Sequence, residues 1–251
     1  MQKSPNFFHL VFILSVSALI ASVAINVILF IAARHYYLLL NQTTLDPLGL
    51  EYIKSNSKEV DASNDSQTKV IFFGDSRAQE WTLPTEIKGF SSINGGISGQ
   101  TSTQVLGRFE KQVVPLRPQI ILVQVGINDL KAIPLFPDRK TIIVANCKSN
   151  IQEIVKRSRS LGATVILTTI IPSGEIPLVR KPFWSSEIDR ALVEVNSYIS
   201  SLQAPNVIIF DSYSLLNQTQ KNNYYKDTLH LNEKGYEILN KELTKVLSKL
   251  K

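Results

Sequence analysis

Beyond residue 68 the sequence alternates short apolar runs with longer stretches of helical period, and this alternation constrains the fold more tightly than any other feature. KVIFFG (69–74), SSIN (91–94), QIILVQVG (119–126), ATVILTT (163–169) and NVIIFD (206–211) have the length and β-branched content of buried strands. Residues 141–161 place Ile143, Cys147, Ile151, Ile154 and Leu161 on one stripe, with Lys148, Lys156 and Arg157 off it and Gly162 as a stop. Residues 185–202 and 232–250 repeat the pattern, the latter with Asn232 as N-cap and Glu233 in the first turn. Each crossover must be right-handed and pack back onto the sheet, so the pattern predicts a parallel α/β sheet covered on both faces.

Ligands bind such sheets beyond the carboxyl ends of the strands. Four segments are expected to converge there: Ser76 after the first strand, 94–99 after the second, Gly126 to Asp129 after the third, and Asp227 with His230 ahead of the last helix.

Residues 10–33 carry no charge for 24 positions. As a helix this stretch would reach roughly 36 Å, enough for a hydrocarbon core of about 30 Å. It is read as an uncleaved transmembrane anchor, since the apolar region of a cleaved signal peptide normally runs only about 7–15 residues. Lys3 and the amino terminus on one side nearly balance Arg34 on the other under the positive-inside rule, and the following domain is placed outside the cytoplasm. The chain thus divides into an N-terminal tail (1–9), a single-pass anchor (10–33), a polar juxtamembrane segment and linker (34–68), and one folded domain (69–251).

Formal charge is +6, and setting aside Lys3 and Arg34 leaves 25 basic residues against 21 acidic. The basic residues are scattered instead of forming a stripe with aromatics, which argues against a nucleic-acid partner. Cys147 is the single cysteine, so there is no internal disulfide and no multi-cysteine metal site. No sequence feature specifies an oligomeric state.

Of three histidines, His9 and His35 flank the apolar segment, which leaves His230 as the imidazole of the folded domain. Asp227 lies three residues ahead of it, where a carboxylate can hold the ring in one tautomer and leave the other nitrogen as a general base. A base of this kind calls for a hydroxyl nucleophile, and Ser76 in Gly74-Asp75-Ser76 stands where the first strand gives way to a helix. Gly-Asp-Ser is also ordinary turn and N-cap chemistry, and no glycine follows the serine as in a nucleophile elbow. Asn94 to Thr101 (NGGISGQT) forms a glycine-rich loop that lets backbone approach a ligand, with spacing that fits neither a P-loop nor a dinucleotide fingerprint. Asn128 in Gly126-Ile127-Asn128-Asp129 offers a side-chain amide donor or a turn cap. Cys147, the rival nucleophile, falls mid-helix on the apolar stripe and reads as a small buried hydrophobe.

Ser76 in GDS, Gly99 in NGGISGQT, Asn128 in GIND and His230 in DTLH follow the order and spacing of the four blocks of the SGNH (GDSL) hydrolase family, which the chain resembles over roughly residues 69–250. The resemblance implies a flavodoxin-like three-layer fold with a five-stranded parallel sheet, and an esterase or lipase site without cofactor or metal. It implies Ser76 as nucleophile, His230 as general base and then acid, and Asp227 as its orienting group. The amides of Ser76 and Gly99 and the side chain of Asn128 would form the oxyanion hole. Arg77 departs from the leucine of the family name, at a position expected to bear on the pocket wall. Two loops, Leu130 to Lys140 and Ile171 to Ser186, are placed at the same edge to select the substrate, with Phe136, Phe183 and Trp184 given no site role.

The function expected is a membrane-anchored serine ester hydrolase acting on a small-molecule, glycan or lipid O-ester, of the O-acetyl esterase or lysophospholipase type. Acyl transfer by the same triad and a catalytically silent tethered binding module are the alternatives. Because His230 must be neutral to accept a proton, hydrolysis is expected to rise with pH. Initial rates measured from pH 5 to 8 check this, and a flat profile contradicts it.

Overall fold

In the computed structural model, residues 5–51, 67–84, 87–217 and 223–250 are described. Contacts divide the chain into two units, Met1–Pro47 and Leu48–Lys251.

The first unit is one helix, α1 (Pro5–Leu45). Over its most apolar stretch mean hydropathy reaches 2.5, which makes it long and apolar enough to cross a membrane, a property it shares with signal sequences. It continues beyond the charge-free run into residues expected to form a solvated tether. The polar side chains there bond backwards along the helix and continue it: Asn41 Nδ2 to Tyr37 O at 2.8 Å, Thr43 Oγ1 to Leu39 O and Thr44 Oγ1 to Leu40 O at 2.9 Å each. The remaining linker, 52–66, lies outside the described residues.

In the second unit, β1 (Thr68–Gly74), β2 (Phe90–Gly96), β3 (Ile120–Gln124), β4 (Thr164–Thr168) and β5 (Val207–Phe210) form one sheet, and every pairing is parallel. The order β2-β1-β3-β4-β5 is the flavodoxin-like arrangement, whose crevice opens where β1 and β3 run out side by side. Each strand falls within two residues of the run read from sequence.

Side-chain alternation builds two cores. Ile71 and Phe73 of β1 and Ile121 and Val123 of β3 face one side, where they meet Cys147, Ile151 and Ile154 of α6 (Lys140–Ser160) and Ala191, Val195 and Ile199 of α7 (Ser186–Ser201). Val70, Phe72, Ile120 and Leu122 face the other, against Leu239, Leu243 and Leu247 of the C-terminal helix Glu233–Ser248. Trp81 anchors that second layer, its ring 5.7 Å from Phe72 and 5.8 Å from Phe210, with Nε1 donating to Asn240 Oδ1 at 2.8 Å.

The stripe of α6 is rotated from the sequence reading. Val144 and Val155 are buried with Cys147, Ile151 and Ile154, whereas Ile143 is half-buried and Leu161, at the C-cap, is exposed. A stripe drawn through Leu161 overshoots because the helix ends at Ser160.

Gly74 closes β1 against β3 so tightly that a Cβ would sit 1.8 Å from Gln124 O. Gly74→Ala is therefore predicted to cost more than about 4 kcal/mol or to abolish folding. Gly99 has φ +78° with open space around it, and Gly99→Ala should cost only about 1–2 kcal/mol of backbone strain. Urea unfolding of the two variants checks the order, and near-native stability of Gly74→Ala contradicts the β1/β3 register.

Candidate active site

Four loops converge beyond the carboxyl ends of β1, β2 and β3. Asp75 caps the short helix α2 (Ser76–Gln79), its Oδ1 accepting the amide of Arg77 at 2.9 Å, which places Ser76 in the first turn directly after β1. His230 belongs to the loop ahead of the C-terminal helix, whose N-cap is Asn232, its side chain accepting from Gly235 N at 3.1 Å. His230 Nε2 lies 3.0 Å from Ser76 Oγ across 154 residues of chain. On the far side of the ring, Nδ1 is 2.8 Å from Asp227 Oδ2 and 3.0 Å from Oδ1.

Asp227 Oδ1 also accepts the amides of Leu229 at 2.8 Å and His230 at 2.9 Å. Burial works to raise its pKa, but these two amides and the imidazole outweigh it and hold the carboxyl down at about 2. The group is thus ionised throughout the neutral range and fit to orient an Nδ1–H tautomer.

Beyond β2, the turn ends at the capping box of Thr101 and Gln104, which opens α3 (Ser102–Gly107). The turn is bound to the end of β1 through Ile97 N to Gly74 O at 3.1 Å. β2 runs two residues further than read from sequence, through Gly95 and Gly96. A Cβ on Gly96 would meet Gln79 N at 2.1 Å, so this glycine serves the approach of α2 to β2. Asn128, on α5 (Ile127–Leu130, following α4 at Phe109–Gln112), is buried and donates Nδ2 to Gln100 O at 2.9 Å. That bond uses one of its two N–H groups. Among the described residues the backbone N–H groups of Ser76 and Gly99 make no hydrogen bond. Three donors of the predicted oxyanion hole thus remain available on neighbouring loops.

Several supporting residues carried no recognisable signal in the sequence. Arg108 is fully buried and donates to Gly74 O at 2.6 Å, Gly95 O at 2.8 Å and Gln100 Oε1 at 2.6 Å, with its guanidinium 4.5 Å from the centre of the Phe73 ring. It welds the Ser76 turn to the glycine-rich loop. Burial draws its pKa down to about 9, opposed by Asp75. Asp129 accepts Ser102 N at 2.8 Å and Ser102 Oγ at 2.6 Å, fixing the start of α3 against α5. Gln100 additionally donates to Leu48 O at 3.0 Å, so the segment after α1 packs on the loop. Arg77, expected near the pocket wall, instead turns inward and is wholly buried.

Cys147 is buried in the core and burial pushes its thiol well up, as befits an inert hydrophobe. Among the described residues no group of three or more His, Cys, Asp or Glu is placed to hold a metal ion. A cavity of about 430 Å³ adjoins the His230 loop, lined in part by Pro172, Glu175, Asp189, Leu192 and Tyr213. Its wall is bonded to that loop through Gly174 N to Thr228 O at 2.9 Å and Thr228 Oγ1 to Glu175 O at 3.1 Å. Of the aromatic residues in the flanking loops, Phe136 and Phe183 are exposed and Trp184 packs on the core.

The fold of the second unit is shared with known proteins. A GDSL-like lipase from Bacteroides thetaiotaomicron superimposes with a TM-score of 0.61 at 22% identity, over 80% of this chain and 97% of that one. An acetylxylan esterase from Geobacillus stearothermophilus gives 0.57 at 17% identity, over 72% and 94%. Two further structures of that esterase are of catalytic mutants, one with a serine and one with an aspartate changed to alanine. An uncharacterized lipoprotein of Bacillus subtilis is 29% identical over 119 residues, 41% of this chain, which spans about half (48%) of that relative's length. The profile of the GDSL-like lipase/acylhydrolase family matches residues 66–238, and the chain belongs to this family of carboxylic ester hydrolases.

Proposed function

We propose that the protein is a membrane-anchored serine esterase that removes acetyl or another short acyl group from a hydroxyl-bearing carrier, through a triad of Ser76, His230 and Asp227. The observation that carries this reading is the continuous chain from Ser76 Oγ to His230 Nε2 at 3.0 Å and from His230 Nδ1 to Asp227 Oδ2 at 2.8 Å.

In the first half-reaction His230 Nε2 takes the Ser76 proton as Oγ attacks the ester carbonyl carbon. The carbonyl oxygen becomes an oxyanion, to which the amides of Ser76 and Gly99 and the second N–H of Asn128 would donate. Asp227 stays ionised and steadies the imidazolium. Collapse expels the alcohol, which takes the proton back from His230. Water then adds to the acyl-serine by the same proton route and releases the acid.

Two features support a short acyl group on a polar carrier. The cavity beside the His230 loop has Glu175, Asp189 and Tyr213 among its lining residues as well as Leu192, a set suited to the hydroxyls of a sugar or glycerol. Acetylxylan esterases are among the structural relatives. Support for anchoring comes from the length and apolarity of α1 and from the lipoprotein relative.

Turnover of p-nitrophenyl esters is predicted to fall steeply from acetate to long acyl chains and to vanish in Ser76→Ala. Activity that rises with chain length contradicts the short-acyl assignment, and activity that survives Ser76→Ala contradicts the triad. Asn128→Ala should lower kcat about 10²- to 10³-fold while leaving the unfolding transition in place, and near-normal kinetics would remove it from the oxyanion hole.

A further inference from the structure

Arg77 directly follows the nucleophile, and its side chain is fully buried. A buried guanidinium is tolerated only where its N–H groups are satisfied. Three of its nitrogens each donate to a backbone carbonyl: Nε to Leu229 O at 2.7 Å, Nη1 to Ile171 O at 2.6 Å and Nη2 to Pro172 O at 3.2 Å. The neighbouring carboxyl is Asp75, also wholly buried, whose Oδ1 accepts the Arg77 amide. Tyr236 Oη donates to the Arg77 carbonyl at 3.0 Å, and Tyr225 Oη donates to Pro172 O at 2.8 Å. The arginine thus joins three pieces of chain: the turn bearing the nucleophile, the segment after β4, and the loop bearing the acid–base pair.

The bond to Leu229 O has a specific consequence. That carbonyl shares a rigid peptide plane with the amide of His230, and this amide donates to Asp227 Oδ1 at 2.9 Å. The plane is therefore gripped at both ends, by Arg77 at the oxygen and by Asp227 at the hydrogen. Its orientation sets the direction in which the His230 Cα–Cβ bond leaves the backbone. A leucine here would leave the carbonyls of Leu229 and Ile171 without this donor and the plane held from one side only.

We infer that Arg77 is a positioning residue for the acid–base loop, fixing the Leu229–His230 peptide so that the imidazole meets Ser76 at bonding distance. The inference rests on the triad proposed above. Geometry of this kind acts on kcat, because a misplacement of about 1 Å can cost on the order of 10²-fold in rate. Lysine cannot replace the planar fork, since a single ammonium does not reach three carbonyls arranged around a guanidinium.

Full-length protein in detergent micelles supplies the test, with p-nitrophenyl acetate as substrate and Arg77→Leu, Arg77→Lys and Ser76→Ala as variants. Arg77→Leu is expected to lower kcat roughly 10- to 100-fold with KM changed less than about threefold, after correction for the folded fraction, and Arg77→Lys should fall between it and the wild type. The low-field proton resonance of the His230 Nδ1–H bonded to Asp227 should shift or broaden in both variants. A kcat within about twofold of wild type in Arg77→Leu, or a loss that tracks only the unfolded fraction with the resonance unmoved, overturns the assignment. Should Arg77→Leu fail to fold, Arg77→Lys decides by the same two readings. Activity persisting in Ser76→Ala sinks the triad and this inference together, whereas an inactive Ser76→Ala beside a fully active Arg77→Leu removes Arg77 alone.

Discussion

One carboxylate, that of Asp227, accepts from three nitrogens: Oδ1 takes the amides of Leu229 and His230, and Oδ2 lies nearest the ring Nδ1 of His230. A carboxylate held in this way does two things at once. It folds the four residues Asp227 to His230 into a tight turn, and it fixes the imidazole that the turn carries. The side chain of Asp227 is only partly buried, with 44% of it exposed, so ordering of the ring comes from this local network more than from exclusion of water. The same bonds keep the carboxyl near pKa 2, against the opposing effect of burial. Stability contributed by this group is present above the unfolded carboxylate value of about 3.9 and is lost as pH falls through its folded value.

What remains is to bring that turn to Ser76, and the sheet order achieves it. Because β1 lies between β2 and β3, the loops after all three strands share one rim, and Ser76 emerges where the connections diverge. Backbone bonds alone would leave these loops as separate excursions. The two buried arginines tie them together, Arg108 on the side of the glycine-rich loop and Arg77 on the side of the His230 loop. Each donates to several backbone carbonyls of the segments that leave the sheet, adding to the bonds that Gly74 O takes from Ile97 N and Pro172 O from Tyr225 Oη. Asp129 and Gln100 extend the same network to α3 and to the segment after α1.

Much of this was legible in the sequence where the signal is local. Strand runs such as KVIFFG and QIILVQVG declare themselves by β-branched content, and the helix boundaries around Asn232 and Gly162 follow from cap chemistry. The residues of the proposed triad stood out because Asp227 and His230 lie within one turn of each other and no other imidazole lies between residues 69 and 251. Arg77 stood out only as a departure from the family's leucine; its inward course was not legible, for its three partners come from residues 171, 172 and 229, and nothing near it in sequence announces them. The extension of β2 through Gly96 was hidden for a similar reason, because the backbone it must accommodate belongs to Gln79. The polar end of α1 resembled a linker by composition, yet Asn41, Thr43 and Thr44 turn their side chains onto their own helix.

The central claim is that Ser76 is an activated nucleophile because His230 and Asp227 are already in place to take its proton. Labelling with a fluorophosphonate, followed by peptide mass spectrometry, reads this directly. A single phosphonyl adduct on Ser76, formed rapidly by the wild type and lost when His230 is replaced by alanine, is the predicted result. An unlabelled protein, or an adduct formed equally well without the imidazole, would contradict it.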